Sequence, residues 1–288
     1  MQPTPFAPGL VLRNFQPGKK LSDFKLIAFD MDSTLINIEC IDEIADAVGR
    51  KAEVAAITEA AMRGEITDFK DSLRRRVALL RGVTIADLEE VYVQRLQLNP
   101  GATELVAACK AAGLKVLLVS GGFTFFADRV KERLGIDFAR SNLLEIHSGP
   151  NCGQLTGHVM EQSWGDICDG AEKRRTLLEV ASLLGIEPAQ CIAMGDGAND
   201  LPMMAAAGLS AASINQRLSA IRKLAREAAD NGAMRVATFI LLTICNDIGG
   251  YAAGVLFDGG GALTVLAAGR AGISSAAAPP EASGPRHP

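Results

Sequence analysis

The chain has 288 residues, enough for one sizeable core with a smaller accessory domain. Hydrophobic residues make up 48% and charged residues 22%, the profile of a soluble globular protein. A formal net charge of -4 and only 5% aromatic residues argue against a nucleic-acid groove, which wants a basic stripe and stacking rings.

In chain order, residues 1–20 carry Pro3, Pro5, Pro8 and Gly9 and lack the apolar run of a signal peptide, so they are expected to be a flexible segment. Residues 25–29 form an apolar run ending in acids, the mark of a buried parallel strand. Residues 37–99 read instead as consecutive helices, at 41–48, 51–62, 67–80 and 85–96. They form a helical cap inserted into a core that resumes at Asn99-Pro100-Gly101. A helix at 103–112, a strand at 114–119, a helix at 173–184 and a strand at 191–194 follow. Glycines and Pro150 between 145 and 159 suggest a surface β-hairpin.

The alternation predicts an α/β fold, an open parallel Rossmann-like sheet with an inserted helical cap domain. The expected division is a core at 21–36 and 100–238, a cap at 37–99, and an atypical C-terminal extension at 239–288 with a disordered end. The apolar stretch 239–245 is too short to span a bilayer. Six irregularly spaced cysteines without a C-x-x-C pair point away from zinc or disulfides and toward reduced thiols in the cytoplasm.

Ligands on such sheets bind beyond the carboxyl ends of the strands, and each of the three strands carries chemistry there. The first ends in Asp30-Met31-Asp32-Ser33-Thr34. Two carboxylates at i and i+2 on a strand can face one site, one as a nucleophile and the other as a proton donor and acceptor. The second ends in Ser120-Gly121-Gly122, whose hydroxyl and unhindered N–H groups suit an anion. The third ends in Gly195-Asp196-Gly197-Ala198-Asn199-Asp200, a set of oxygen donors suited to a hard cation such as Mg²⁺. Lys173, in the helix after residues 166–169, could supply a fixed ammonium. Phosphoryl transfer needs all of these together.

These motifs, in this order, resemble those of the haloacid dehalogenase superfamily. Leu35-Ile-Asn-Ile-Glu-Cys-Ile-Asp-Glu-Ile-Ala, Ser72-Leu-Arg-Arg-Arg-Val and Gly195-Asp-Gly-Ala-Asn-Asp-Leu-Pro-Met-Met resemble its phosphoserine phosphatases, over roughly residues 21–210. The resemblance implies a Mg²⁺-dependent hydrolase that converts O-phosphoserine to serine and phosphate through an aspartyl-phosphate, the last step of serine biosynthesis. It implies catalytic roles for Asp30 as nucleophile, Asp32 as general acid/base and Lys173. It also implies metal ligation by Asp30, Asp196 and the backbone carbonyl of Asp32. Ser120, Gly121 and Asn199 would lie at the phosphate and metal, Glu39 would meet the serine ammonium and Arg76 its carboxylate, and Met62 and Phe69 would line the pocket. Spacing leaves open which of Arg74, Arg75 and Arg76 points inward. A monomer or homodimer with no nucleic-acid or membrane partner is expected, with a cap that closes on hinges near Asn37 and Asn99. Alternatives are a phosphatase or phosphotransferase for another small phosphorylated amino acid, or a non-catalytic phospho-acceptor. The resemblance fades after Gly208-Leu209-Ser210, and the flanking strand usual there is not evident in the sequence that follows.

Overall fold

The computed structural model of the protein describes residues 4–7, 10–12, 20–214, 251–257 and 263–267. In chain order its strands are β1 (Thr4–Ala7), β2 (Leu10–Leu12), β3 (Leu26–Phe29), β4 (Lys115–Phe123), β5 (Phe138–Ile146), β6 (Leu155–Met160), β7 (Cys191–Gly195), β8 (Leu209–Ile214), β9 (Tyr251–Phe257) and β10 (Leu263–Ala267). The helices are α1 (Cys40–Ala47), α2 (Lys51–Met62), α3 (Phe69–Ala78), α4 (Ile85–Gln94), α5 (Ala102–Ala111), α6 (Thr124–Leu134), α7 (Gly170–Leu183) and α8 (Leu201–Ala206).

The main sheet runs β10-β9-β8-β7-β3-β4-β5-β6. From β8 to β5 the pairings are parallel, while β6, β9 and β10 join antiparallel at the two flanks. The central strand shows why its sequence is apolar throughout. Ile27 and Phe29 pack on one face with Leu105, Val106, Phe126 and Val130. Leu26 and Ala28 pack on the other with Leu177, Val180 and Met203. Helices thus cover both faces, and alternate side chains of one strand feed two separate cores. Parallel strands bring their carboxyl ends to one edge, which gathers Asp30, Ser120 and Asp196.

Helices α1–α4 lie between β3 and β4 as the cap. Its two connections to the sheet cross as an antiparallel bridge, Ile36 against Leu98. Asn99 Nδ2 donates to the carbonyls of Thr34 and Ile36 at 2.9 and 3.0 Å, and Asn37 Oδ1 accepts from Gln97 N at 2.8 Å.

Three features differ from the sequence reading. The 145–159 hairpin, the β5–β6 pair, is no free surface excursion. Its tip is stitched to the cap by Gly82 N to Leu155 O (2.9 Å), Leu155 N to Val83 O (2.8 Å) and Ile85 N to Gly153 O (2.9 Å). The flanking strand after residue 208 is present. β8 pairs with β7 in the register Ile192↔Leu209 and Ala193↔Ser210, buries Leu209 and Ala211, and satisfies the Ser210 hydroxyl on Met204 O at 2.6 Å. Small residues hid this strand, because its burial comes from the sheet rather than from bulky side chains. The terminal segments also contain paired strands: β1 with β2 inside the stretch expected to be flexible, and β9 with β10 inside the C-terminal extension. The disordered end expected for that extension lies outside the described residues.

Candidate active site

Asp30 follows β3 directly, and its backbone N–H is tied to Met194 O on β7 at 2.8 Å. Lys173 lies in the first turn of α7, whose N-cap Asp169 accepts from Glu172 N. The helix aims the lysine inward, where it is fully buried. Its Nζ donates to Asp30 Oδ1 and to Asp200 Oδ1, both at 2.7 Å. Asp200 Oδ2 in turn accepts from the N–H groups of Asp196 (3.1 Å) and Gly197 (2.9 Å). Oxygens of Asp30, Asp196 and Asp200 lie within 4.8 Å of one another.

Three carboxylates around one ammonium leave an excess of negative charge in a dry place. Burial, with the Asp200 charge, pushes Asp30 up to about 7 against the pull of Lys173. Burial and the charges of Asp30 and Asp200 push Asp196 up to about 9. Burial works against the Lys173 charge as well, but Asp200 and Asp30 outweigh it and hold the ammonium above its ordinary value. The donor set therefore fits a hard divalent cation: all its donors are oxygens, and two of its carboxylates carry charge they cannot comfortably hold alone. Asp200 already accepts at both oxygens, which leaves Asp30 and Asp196 as the side chains suited to the ion.

Asp32 faces the same site from the following turn and is half-buried. Burial, together with Glu39 and Asp30, raises its carboxyl well above the usual range, the direction that favours a proton donor. Its Oδ1 accepts from Cys40 Sγ at 3.1 Å. Glu39, the N-cap of α1, accepts from Ser33 Oγ at 2.9 Å.

Ser120 is fully buried in β4, just past Val119 where its regular pairing with β5 breaks, and its Oγ accepts from Gly122 N at 2.8 Å. Gly121 lies close under the cap. A Cβ there would stand 3.4 Å from Phe69 Cζ and 3.6 Å from Asn199 Nδ2, which brings cap helix α3 and the 195–200 loop against the anion loop. Arg74 and Arg75 are exposed and paired, with Asp166 and Asp71 respectively. Arg76 is the half-buried member of the trio, beside buried Ser72, Leu73 and Val77. The Met62 side chain lies outside the described residues.

The structure thus brings together Asp30, Asp32, Lys173, Ser120, Gly121, Asp196 and Asn199, with Glu39 and Phe69 entering from the cap side. Two contributors went unread in the sequence. Thr34 Oγ1 donates to Asp196 Oδ1 at 3.3 Å; its place beside Asp32 was the available signal. Asn142, fully buried on β5, donates from Nδ2 to Gly121 O and accepts at Oδ1 from Cys168 N, both at 2.7 Å. It clamps the anion loop to the loop before Lys173, and no local pattern marked it.

Residues 24–208 match the haloacid dehalogenase-like hydrolase family. The phosphoserine phosphatase of Albidiferax ferrireducens is 67% identical over 234 residues, 81% of this chain and 96% of that one. That of a Polaromonas species is 70% identical over 212 residues, 74% of this chain and 88% of its own. Among solved structures, a phospho-aspartyl intermediate analogue of phosphoserine phosphatase superposes with a TM-score of 0.58 at 41% identity, covering 65% of this chain and 85% of that one. A substrate-bound phosphoserine phosphatase complex gives 0.59 at 40% identity, covering 68% and 87%.

Proposed function

The chain belongs to the haloacid dehalogenase-like hydrolase family, and from that premise we propose that it hydrolyses O-phosphoserine to serine and phosphate through an aspartyl-phosphate. The observation that carries this reading is the buried Lys173 ammonium bonded to Asp30, with Asp196 beside it, at the carboxyl ends of adjacent parallel strands. Relatives of high identity named phosphoserine phosphatase support the substrate.

Asp30 bonds to phosphorus as the ester P–O bond breaks, and Asp32 gives its proton to the departing serine oxygen. Asp32, now a carboxylate, takes a proton from water as the water oxygen bonds to phosphorus. The acyl-phosphate P–O bond breaks, Asp30 is restored, and phosphate leaves. Lys173, Ser120 and Gly121 hold the phosphoryl oxygens, with Asn199 beside them. Asp30, Asp196 and the Asp32 backbone carbonyl would hold Mg²⁺, which would supply positive charge against those oxygens. Glu39 receives the substrate ammonium and Arg76 its carboxylate, one acid and one guanidinium for the two charges phosphoserine carries beyond phosphate. Phe69 lines the pocket, and residues 37–99 act as the closing cap. The activity suits the last step of serine biosynthesis in the cytoplasm, where the five free cysteines of the described residues would stay reduced.

The test is phosphate release from phosphoserine by the wild type and by Asp30→Asn, with and without EDTA. Asp30→Asn is expected to abolish turnover and to form no phosphoenzyme of the acid-stable, alkali- and hydroxylamine-sensitive kind. Full activity in that variant would exclude the covalent route.

A further inference from the structure

The two ends of the 32–40 loop are cross-braced. Ser33 Oγ donates to Glu39 Oε1 at 2.9 Å, Cys40 Sγ donates to Asp32 Oδ1 at 3.1 Å, and Ser33 N bonds to Ile38 O at 3.2 Å. Each functional carboxylate is therefore held by the neighbour of the other one. Ser33 adopts φ 56°, the only positive φ at a non-glycine residue among those described. That conformation costs free energy and persists where the surroundings over-determine it. Cys40 is fully buried at the first position of α1, so its thiol has no water to turn to.

We propose that Cys40 is a positioning residue for the general acid/base, and that with Ser33 it couples the ammonium acceptor Glu39 to Asp32. The proposal rests on the roles of Asp32 and Glu39 given above. A thiol is a weak donor, and here the acceptor it meets is the Asp32 carboxylate. By donating to Oδ1 it makes that oxygen the acceptor and leaves Oδ2 as the one that carries the exchangeable proton. Oδ2 is the oxygen on the reactive side: it lies 3.1 Å from the point where a Cβ would stand on Gly122, beside the anion loop. The Cys40 backbone also bonds this carboxyl; without the thiol one of these two ties is lost, and the carboxyl is freer to rotate and present its proton elsewhere.

The experiment compares two leaving groups. Departure of the serine alkoxide needs a proton, whereas departure of p-nitrophenolate does not. Cys40→Ala is expected to lower kcat/KM for phosphoserine by about tenfold, the scale of one lost hydrogen bond, and to leave p-nitrophenyl phosphate within about twofold. Cys40→Ser, which keeps a donor, is expected to restore phosphoserine turnover. Should Cys40→Ala fold poorly, Cys40→Val fills the space without donating and answers the same question. Equal losses on both substrates, or failure of Cys40→Ser to rescue, overturns the positioning role. Asp32→Asn separates the two levels of the argument. If it loses phosphoserine selectively and Cys40→Ala does not, only the Cys40 proposal falls; if Asp32→Asn shows no selectivity, the acid role of Asp32 falls first.

Discussion

At the scale of single residues, the site is organised by which carboxylate oxygen meets which donor. Lys173 alone satisfies two acids, and Asp200 passes that order on to the backbone of Asp196 and Gly197. The arrangement needs Gly195 bare, because a Cβ there would collide with the Asp200 carboxylate. Space, rather than backbone conformation, makes that position a glycine. Gly195→Ala is therefore expected to lower stability by about 1–3 kcal/mol, as overpacking does. Activity should fall by more than the loss of folded protein accounts for, since Lys173 loses a partner. Thermal melts read beside phosphate release check this. A variant with wild-type melting and turnover would show that Asp200 can move without cost.

At the scale of elements, the cap is held to the core at several separate places. Its α3–α4 connection is stitched to β6 by backbone bonds. Lys70 of α3 pairs with Asp166 at 3.2 Å. Glu89 of α4 meets Arg129 of α6 at 2.9 Å, and that guanidinium also lies over the Tyr92 ring. The exposed ion pairs are worth little singly, so the backbone stitching carries more of the docking. Gly157 on β6 is central to it. Its φ is +86°, and a Cβ would stand 3.2 Å from both Ala78 O and Arg81 Cβ. Gly157→Ala combines strain with a clash, and a loss of about 1–3 kcal/mol follows. Hydrogen exchange should show the increased opening concentrated at 79–85 and 153–157 rather than in the sheet. Uniform protection would place the cost elsewhere.

At the scale of the whole molecule, buried acids make stability depend on pH and on metal together. Asp30 and Asp196 hold protons up to about 7 and about 9 in the folded chain, whereas unfolded carboxylates release them near ~4. Between those limits the folded state binds more protons than the unfolded state. The slope of unfolding free energy against pH is then negative, and metal-free protein loses stability as pH rises from ~4 toward 9. Lys173, held above its ordinary value, keeps its contribution across this window. Mg²⁺ competes with those protons, so the stabilisation it confers should grow with pH. Urea melts of EDTA-treated protein across this range, repeated with Mg²⁺, read both effects. A metal-free midpoint that rises with pH would contradict the placement of these acids.

The strand ends and their chemistry were legible in the sequence because they are local. An apolar run such as 26–29 is buried on both faces, and the acids or glycines that end it stand at the sheet edge whatever else the chain does. The four cap helices were legible for the same reason, through their apolar spacing. Partnership was not legible, since it depends on which distant segments the sheet brings together. Spacing could not choose among Arg74, Arg75 and Arg76, whereas the fold exposes Arg74 and Arg75 and leaves Arg76 half-buried. Small residues disguised β8 until β7 provided its register. The burial of Lys173, the clamp at Asn142, the docking of the β5–β6 hairpin and the bond from Cys40 to Asp32 were settled by tertiary structure alone. Each joins groups whose contact exists only once the layers have closed and water has left, and only then does an unpartnered donor or charge become costly enough to dictate where its partner lies.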